Sequence, residues 1–248
     1  MSDPMRPRAS LRTAVVWEVL QDALERRVKA TGRESLDVLD TGGGSGNFAV
    51  PAARLGHRVT VVDPSPNALF ALERRAAEAD VADRVKGVQG DAHGLFDVAE
   101  RGGYDVVLCH GVLMYVEEPD PLLAGLARML APGGLLSLLV RNGDALAIRP
   151  GLSGDWAGAL AAFDTVSYRN RLGLDVRADR LKDLTATLAG IGAPLHVWYG
   201  VRVFTDTAVD GAEVPADIRT LLAVEEKAGR TDPYRGVAAL LHLCGVRG

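Results

Sequence analysis

Cysteine is scarce in this chain: there are two among 248 residues, Cys109 and Cys244, each inside an apolar run. That excludes a disulfide framework and leaves both thiols as reduced core residues of a cytosolic protein. Histidine is also sparse, and His57, His196 and His242 lie far apart without metal-ligand spacing, so no metal is expected. An excess of basic charge is missing: 28 Lys and Arg face 32 Asp and Glu, a net charge of -4. No global positive field therefore draws nucleic acid to the protein, although a local basic patch stays open. No apolar run reaches membrane-spanning length. Residues 1 to 10 are polar and proline-containing, without the apolar core of a signal peptide. Internal repeats and low-complexity tracts are lacking as well. The expectation is a cytoplasmic globular protein of unassigned oligomeric state.

What is present is hydrophobic patterning, with 48% hydrophobic and 24% charged residues. From Ser10, a plausible N-cap, Val15, Val16, Val19, Leu20, Ala23 and Leu24 recur at helical spacing. This predicts a first helix, within residues 1 to 33, that precedes a sheet and packs on it. Short apolar runs at 36–40, 58–62, 85–89, 104–109 and 135–140 read as buried strands. Helical stretches alternate with them, including one capped by Ser65 with Pro66 at its first position. Strand–helix alternation up to residue 141 argues a doubly wound, mostly parallel sheet in a three-layer αβα arrangement. The Ala131-Pro-Gly-Gly134 segment is expected to end a helix before the fifth strand. Residues 142 to 177 lose the periodicity and read as an insertion covering the ligand edge of a domain at 34–248. Helices are expected at 180–189 and 218–224. Leu195 to Phe204 and Ala238 to Cys244 read as two last strands, pairing antiparallel at the end of the sheet.

The chemistry gathers around Leu36-Asp-Val-Leu-Asp-Thr-Gly-Gly-Gly-Ser-Gly46. A strand that breaks into glycines and opens a helix is a ligand edge in open α/β sheets, because bare backbone lets a ligand approach. Asp63 ends the second strand roughly twenty residues on, where an acid commonly accepts from ribose hydroxyls. Gly42, Gly44 and Gly46 satisfy G-x-G-x-G but not G-x-G-x-x-G, because position 47 is Asn. The shifted third glycine, with Asp40 ahead of the turn, points away from NAD, and an NAD-dependent oxidoreductase is the reading it disfavours.

Val38-Leu-Asp-Thr-Gly-Gly-Gly-Ser-Gly46, Asp63, Gly90-Asp91-Ala92 and Leu130-Ala-Pro-Gly-Gly-Leu135, in that order, resemble the motifs of class I S-adenosylmethionine-dependent methyltransferases. The resemblance covers about residues 34 to 141, and the expected antiparallel tail matches that family's final strands. It implies a Rossmann-like fold and S-adenosylmethionine as cofactor, with S-adenosylhomocysteine as product. The turn, with Asp40, Gly42, Gly44 and Ser45, would approach the methionine part. Asp63 would bind the ribose hydroxyls, and Asp91, Ala92 and His93 would border the adenine.

A narrower resemblance runs nearly full length. Leu11-Arg12, Ala14, Trp17, the glycine turn, Gly56-His57, His110-Gly-Val-Leu113, Asn142 and Gly200-Val-Arg-Val-Phe204 are similar to the bacterial tRNA 5-carboxymethoxyuridine methyltransferases. This implies a tRNA partner whose modified wobble uridine is methylated on its carboxylate. It also implies Arg12 as a ligand of the cofactor carboxylate and His110 as a pocket residue. The chain departs from that family at Ser45, where an acid is usual, and at Met114-Tyr115. A small acidic molecule is the alternative acceptor, favoured by the net charge and by the interruption of the basic stretch at Arg169 to Lys182 by Asp175 and Asp179.

Two residues are candidates for the reaction itself. His110 follows a buried strand at its C-terminal edge and suits a base or a pocket wall. Arg202, in Val-Arg-Val on an apolar run, needs a partner or solvent, and is expected to face the substrate pocket and bind an anion. For a carboxylate acceptor no base is needed, and Arg202 or Arg171 would hold one oxygen while the other attacks. A non-catalytic binding protein on the same fold stays open, because methyl transfer needs few obligatory side chains.

Overall fold

The computed structural model describes residues 9–91, 94–95, 101–170, 172–206 and 217–248, with side chains from residue 14 onward. The expected alternation forms. Helix α1 (Ala9–Thr31) leads into β1 (Asp37–Thr41), α2 (Ala49–Arg54), β2 (Arg58–Asp63), α3 (Pro66–Glu78), β3 (Val85–Gln89) and β4 (Tyr104–His110). Helix α4 (Pro119–Met129) and β5 (Leu130–Arg141) come next. Two short helices, α5 (Ile148–Leu152) and α6 (Trp156–Ala161), precede the antiparallel hairpin of β6 (Ser167–Arg169) and β7 (Asp175–Arg177). The described chain closes with α7 (Leu181–Gly190), β8 (Leu195–Val201), α8 (Ile218–Arg230) and β9 (Leu240–Val246).

Seven strands make one sheet in the order β3-β2-β1-β4-β5-β9-β8. Strands β1 to β5 pair in parallel. Strand β9 runs against its neighbours. The Gly133 amide donates to the Arg247 carbonyl and that of Asn142 to Ala239, so one strand index rises as the other falls. The sheet is thus mostly parallel with one antiparallel strand, and helices flank it.

The chain divides into two compact units. One holds Leu20–Leu139, Thr185–Val197 and Leu243–Gly248; the other holds Val140–Leu184, Trp198–His242 and the start of the chain up to Val19. The first unit carries the parallel strands. Val38, Leu39, Val61, Val106, Val107 and Leu108 are each at most 1% exposed, as expected for strands covered on both faces. Burying a leucine or valine contributes about 1.5–3 kcal/mol, so this row is a substantial part of the unit's core. Leu69, Leu72 and Ala76 form the buried stripe of α3, whose Ser65 cap accepts from the Ala68 amide at 3.3 Å.

Three expectations need correction. Ala131-Pro-Gly-Gly134 is not a helix-ending loop but the first part of β5. Its glycines exchange hydrogen bonds with Arg247, and Gly133 takes φ +69 where the register against β4 shifts, so a proline–glycine pair that looks like a break is an irregularity within the strand, held by the end of the chain. Strand β8 stops at Val201, because Arg202 turns to φ +62. Helix α8 runs on to Arg230, six residues beyond the stretch expected from apolar spacing, with Asp217 capping it through the Thr220 amide.

Candidate functional site

The two ends of the parallel strands carry acids with opposite fates. At the start of β1 and β4, Asp37 and Asp105 are matched by cations. Arg27 and Arg33 reach Asp105 at 3.1 and 2.9 Å, while Arg33 and Arg58 reach Asp37 at 2.7 and 2.8 Å. Burial pushes the Asp37 carboxyl up, but hydrogen bonds from Arg58 and Arg33 more than offset it and hold it below its usual range. That end is structural.

At the other end, no lysine or arginine among the described residues pairs with Asp40. Asp40 is 2% exposed, and its Oδ2 has no hydrogen-bond partner among those residues; nor has the Thr41 hydroxyl. Burial, with the Asp63 charge nearby, raises the Asp40 carboxyl to about 7. Its carboxylate lies where a Cβ on Gly43 would stand, 2.5 Å from Cγ, so this glycine is required for the acid to fit. Asp63 is engaged on both oxygens by backbone: Oδ2 accepts from Gly44 N–H and Oδ1 from Ser65 N–H, each at 2.9 Å. Gly42, Gly44 and Gly46 all take positive φ, and a Cβ on Gly44 would meet nothing closer than an Asp63 oxygen at 4.0 Å. At Gly44 the turn therefore presents open backbone, which only glycine supplies at low cost.

Above the turn lies a cavity of about 1020 Å³, lined among others by Thr41, Gly42, Asp63, Asp91, His110, Tyr115, Glu117 and Glu118. Its described lining holds four carboxylates and no lysine or arginine, which favours a ligand bearing positive charge. His110 Nε2 lies 2.9 Å from the hydroxyl of fully buried Ser137, and its ring meets Phe48 edge-on at 4.6 Å. Asp91 accepts from the Gly94 amide through Oδ1.

Gly42, Asp63, Asp91 and His110 line this cavity, and Gly44 is bonded to Asp63, whereas Asp40 and Ser45 lie in the same unit but are not among the lining residues. Ala92, His93 and Arg171 lie outside the described residues, and so does the side chain of Arg12. Arg202 is placed differently from the expectation. Its guanidinium is ion-paired with Asp206 at 3.2 Å and donates to the Thr205 carbonyl at 3.3 Å, so its charge is met inside its own loop. Arg141 shares Asp206 at 3.4 Å and lies 5.5 Å over the Tyr168 ring. Glu225 braces the same loop, accepting from the amides of Val203, Phe204 and Thr205 at 2.8 to 3.0 Å. Sequence reasoning missed Ser137, Glu117 and Glu118. A serine inside an apolar strand was the one visible signal; a Glu-Glu pair in a loop reads as surface.

Known proteins are similar to this chain in sequence and in fold. A family model described as a methyltransferase domain matches residues 39–136. The ubiquinone biosynthesis O-methyltransferase of Caulobacter sp. is 30% identical over 194 residues, covering 77% of this chain and 72% of that protein. The chain belongs to the class I S-adenosylmethionine-dependent methyltransferases. The tRNA 5-carboxymethoxyuridine methyltransferase of Escherichia coli K12 is 29% identical over 95% of this chain and 88% of its own length. Among solved structures, an S-adenosylmethionine-dependent methyltransferase from Mesorhizobium loti superposes with a TM-score of 0.63 at 20% identity, covering 96% of this chain and all of that one, a likeness of fold.

The cofactor of this methyltransferase is S-adenosylmethionine, and the ligand edge fits it. The cofactor carries a sulfonium and an ammonium, and the cavity is acidic. Its ribose needs hydroxyl acceptors, and Asp63 stands at the strand end with two oxygens. Its length needs bare backbone, and Gly44 leaves that space open. The NAD-dependent alternative is not favoured.

Proposed function

We propose that this methyltransferase esterifies the carboxylate of a 5-carboxymethoxyuridine at the wobble position of tRNA. The observation that carries the proposal is the extent of similarity to the E. coli enzyme of that name: 95% of this chain, and so nearly all of it beyond the matched methyltransferase domain. The Caulobacter quinone-pathway enzyme covers less, at 77%.

The chemistry is consistent with a carboxylate nucleophile. Bound S-adenosylmethionine supplies an activated methyl, so the protein's task is to align an oxygen behind it. A carboxylate needs no deprotonation, and His110, held against Ser137, serves as a wall of the pocket. In this reading Asp40, Ser45 and the Gly42–Gly44 backbone receive the methionine part. Asp63 receives the ribose, and Asp91, Ala92 and His93 border the adenine. Arg202, anchored on Asp206, holds its own loop in place rather than gripping the acceptor.

The test is transfer of a labelled methyl group to synthetic anticodon stem-loops. A stem-loop bearing 5-carboxymethoxyuridine gains one base-labile methyl; the same stem-loop with plain uridine gains none. Transfer only to a small acid or phenol would overturn the tRNA assignment and leave the methyltransferase intact.

A further inference from the structure

The glycine turn is held from three sides, and the third lies outside the residues assigned to the cofactor. From β2, the Val62 carbonyl takes the Gly42 amide at 2.7 Å. Asp63 takes the Gly44 amide at 2.9 Å. These fix the first half of the turn. The second half, Ser45 to Asn47, is gripped by a side chain from α3: Arg75 Nη1 donates to the Ser45 carbonyl at 2.7 Å, the Ser45 hydroxyl at 3.1 Å and Asn47 Oδ1 at 3.0 Å. Arg75 is half-buried and has no carboxylate partner among the described residues, so its polar contacts all go to the turn.

We infer that Arg75 is a positioning residue that sets cofactor affinity by pre-ordering the second half of the glycine turn. Three glycines at positive φ make this segment costly to order. Without Arg75 the ordering would fall on the bound cofactor, and affinity drops by what the cofactor must then supply. The main contact is to a backbone carbonyl, so it survives changes in the side chains of Ser45 and Asn47. Because α3 begins directly after Ser65, whose amide holds Asp63, one helix links both grips on the turn.

The inference rests on the reading that the turn receives the methionine part of the cofactor, and the experiment separates the two. S-adenosylhomocysteine and 5′-methylthioadenosine, which lacks the amino-acid group, are titrated calorimetrically into wild type, Arg75→Ala, Arg75→Lys and Asp63→Ala. Arg75→Ala is expected to weaken S-adenosylhomocysteine about tenfold, equal to about 1.4 kcal/mol. It should weaken methylthioadenosine by less than about threefold, and Arg75→Lys should recover most of the loss, since an ammonium still donates to the carbonyl. Arg75→Ala binding S-adenosylhomocysteine within about twofold of wild type, while Asp63→Ala loses it, would overturn the role of Arg75 alone. Equal losses for both ligands without rescue by lysine would also overturn it, as general loosening. Unchanged binding in Asp63→Ala as well would remove the cofactor-site reading beneath it.

Discussion

At the scale of single residues, the ligand edge is defined by what its acids lack. Asp37 and Asp105 are each met by arginines, whereas Asp40 is buried without a cation among the described residues and Asp63 relies on two amides. The raised Asp40 carboxyl has two consequences. A cationic ligand favours the charged form of Asp40, so S-adenosylmethionine affinity is expected to rise between about pH 6 and 8, by at most about tenfold per unit. Asp40→Asn should flatten that profile; calorimetry across the range checks it, and an identical slope in the variant would rule Asp40 out. For folding, a carboxyl raised from 3.8 to about 7 binds its proton more tightly in the native state, so its stabilisation is complete below 3.8 and is lost as pH rises to about 7. His242 acts in the opposite sense. Burial lowers it to about 4, so its contribution is present above 6.5 and lost as pH falls toward 4. The two slopes oppose each other in wild type. Asp40→Asn should therefore lose stability on acidification from pH 6.5 to 4 more steeply than wild type does, which denaturant midpoints at each pH would reveal.

At the scale of elements, the glycines of the turn separate folding from binding. A Cβ on Gly46, at φ +81, would stand against Leu72 Cδ1 of α3. Left-handed backbone costs an alanine about 1–2 kcal/mol, and overpacking adds about 1–3 kcal/mol. Gly46→Ala should therefore lower the Tm markedly. Gly44, at φ +56, has open space, so Gly44→Ala carries the backbone cost alone yet fills the cofactor's approach. It should fold with a small drop in Tm and bind S-adenosylhomocysteine at least about tenfold more weakly. A Gly44→Ala protein with unchanged affinity would mean the cofactor does not lie against the turn. Much of this element was legible in the sequence, because strand runs, the Ser65-Pro66 start and the glycine spacing are local signals. Asp40 and Asp63 were legible for the same reason: Asp63 ends its strand and Asp40 lies one residue from the end of its own. The Arg75 grip was not, since one arginine in Glu73-Arg74-Arg75 looks like the next until the helix is docked. Nor was the fate of Arg202, because the partner that meets its charge, Asp206, is chosen by a left-handed turn that no apolar pattern announces. The Ala131-Pro-Gly-Gly134 strand was hidden as well, since its pairing partner Arg247 lies more than a hundred residues away.

At the scale of the whole molecule, the proposed tRNA acceptor would set an acidic protein against a polyanion. With a net charge of -4 and an acidic cavity, binding of that acceptor would depend on local cations rather than on a global field. Stem-loop binding is therefore expected to weaken steeply between about 50 and 200 mM salt, through release of counterions, while S-adenosylhomocysteine binding changes little. Parallel titrations in both buffers check this, and a salt-independent stem-loop affinity would speak for a small-molecule acceptor. Among the described residues no helix is long and apolar enough to cross a membrane.

The edge between Asp40 and Asp63 is expected to bind an S-adenosyl compound and not a dinucleotide. The most direct measurement is thermal unfolding of wild type and Asp63→Ala with saturating S-adenosylhomocysteine or NADH. S-adenosylhomocysteine alone should raise the Tm of wild type, and the shift should disappear in Asp63→Ala. A folded wild-type protein stabilised by NADH, or by neither compound, would contradict it.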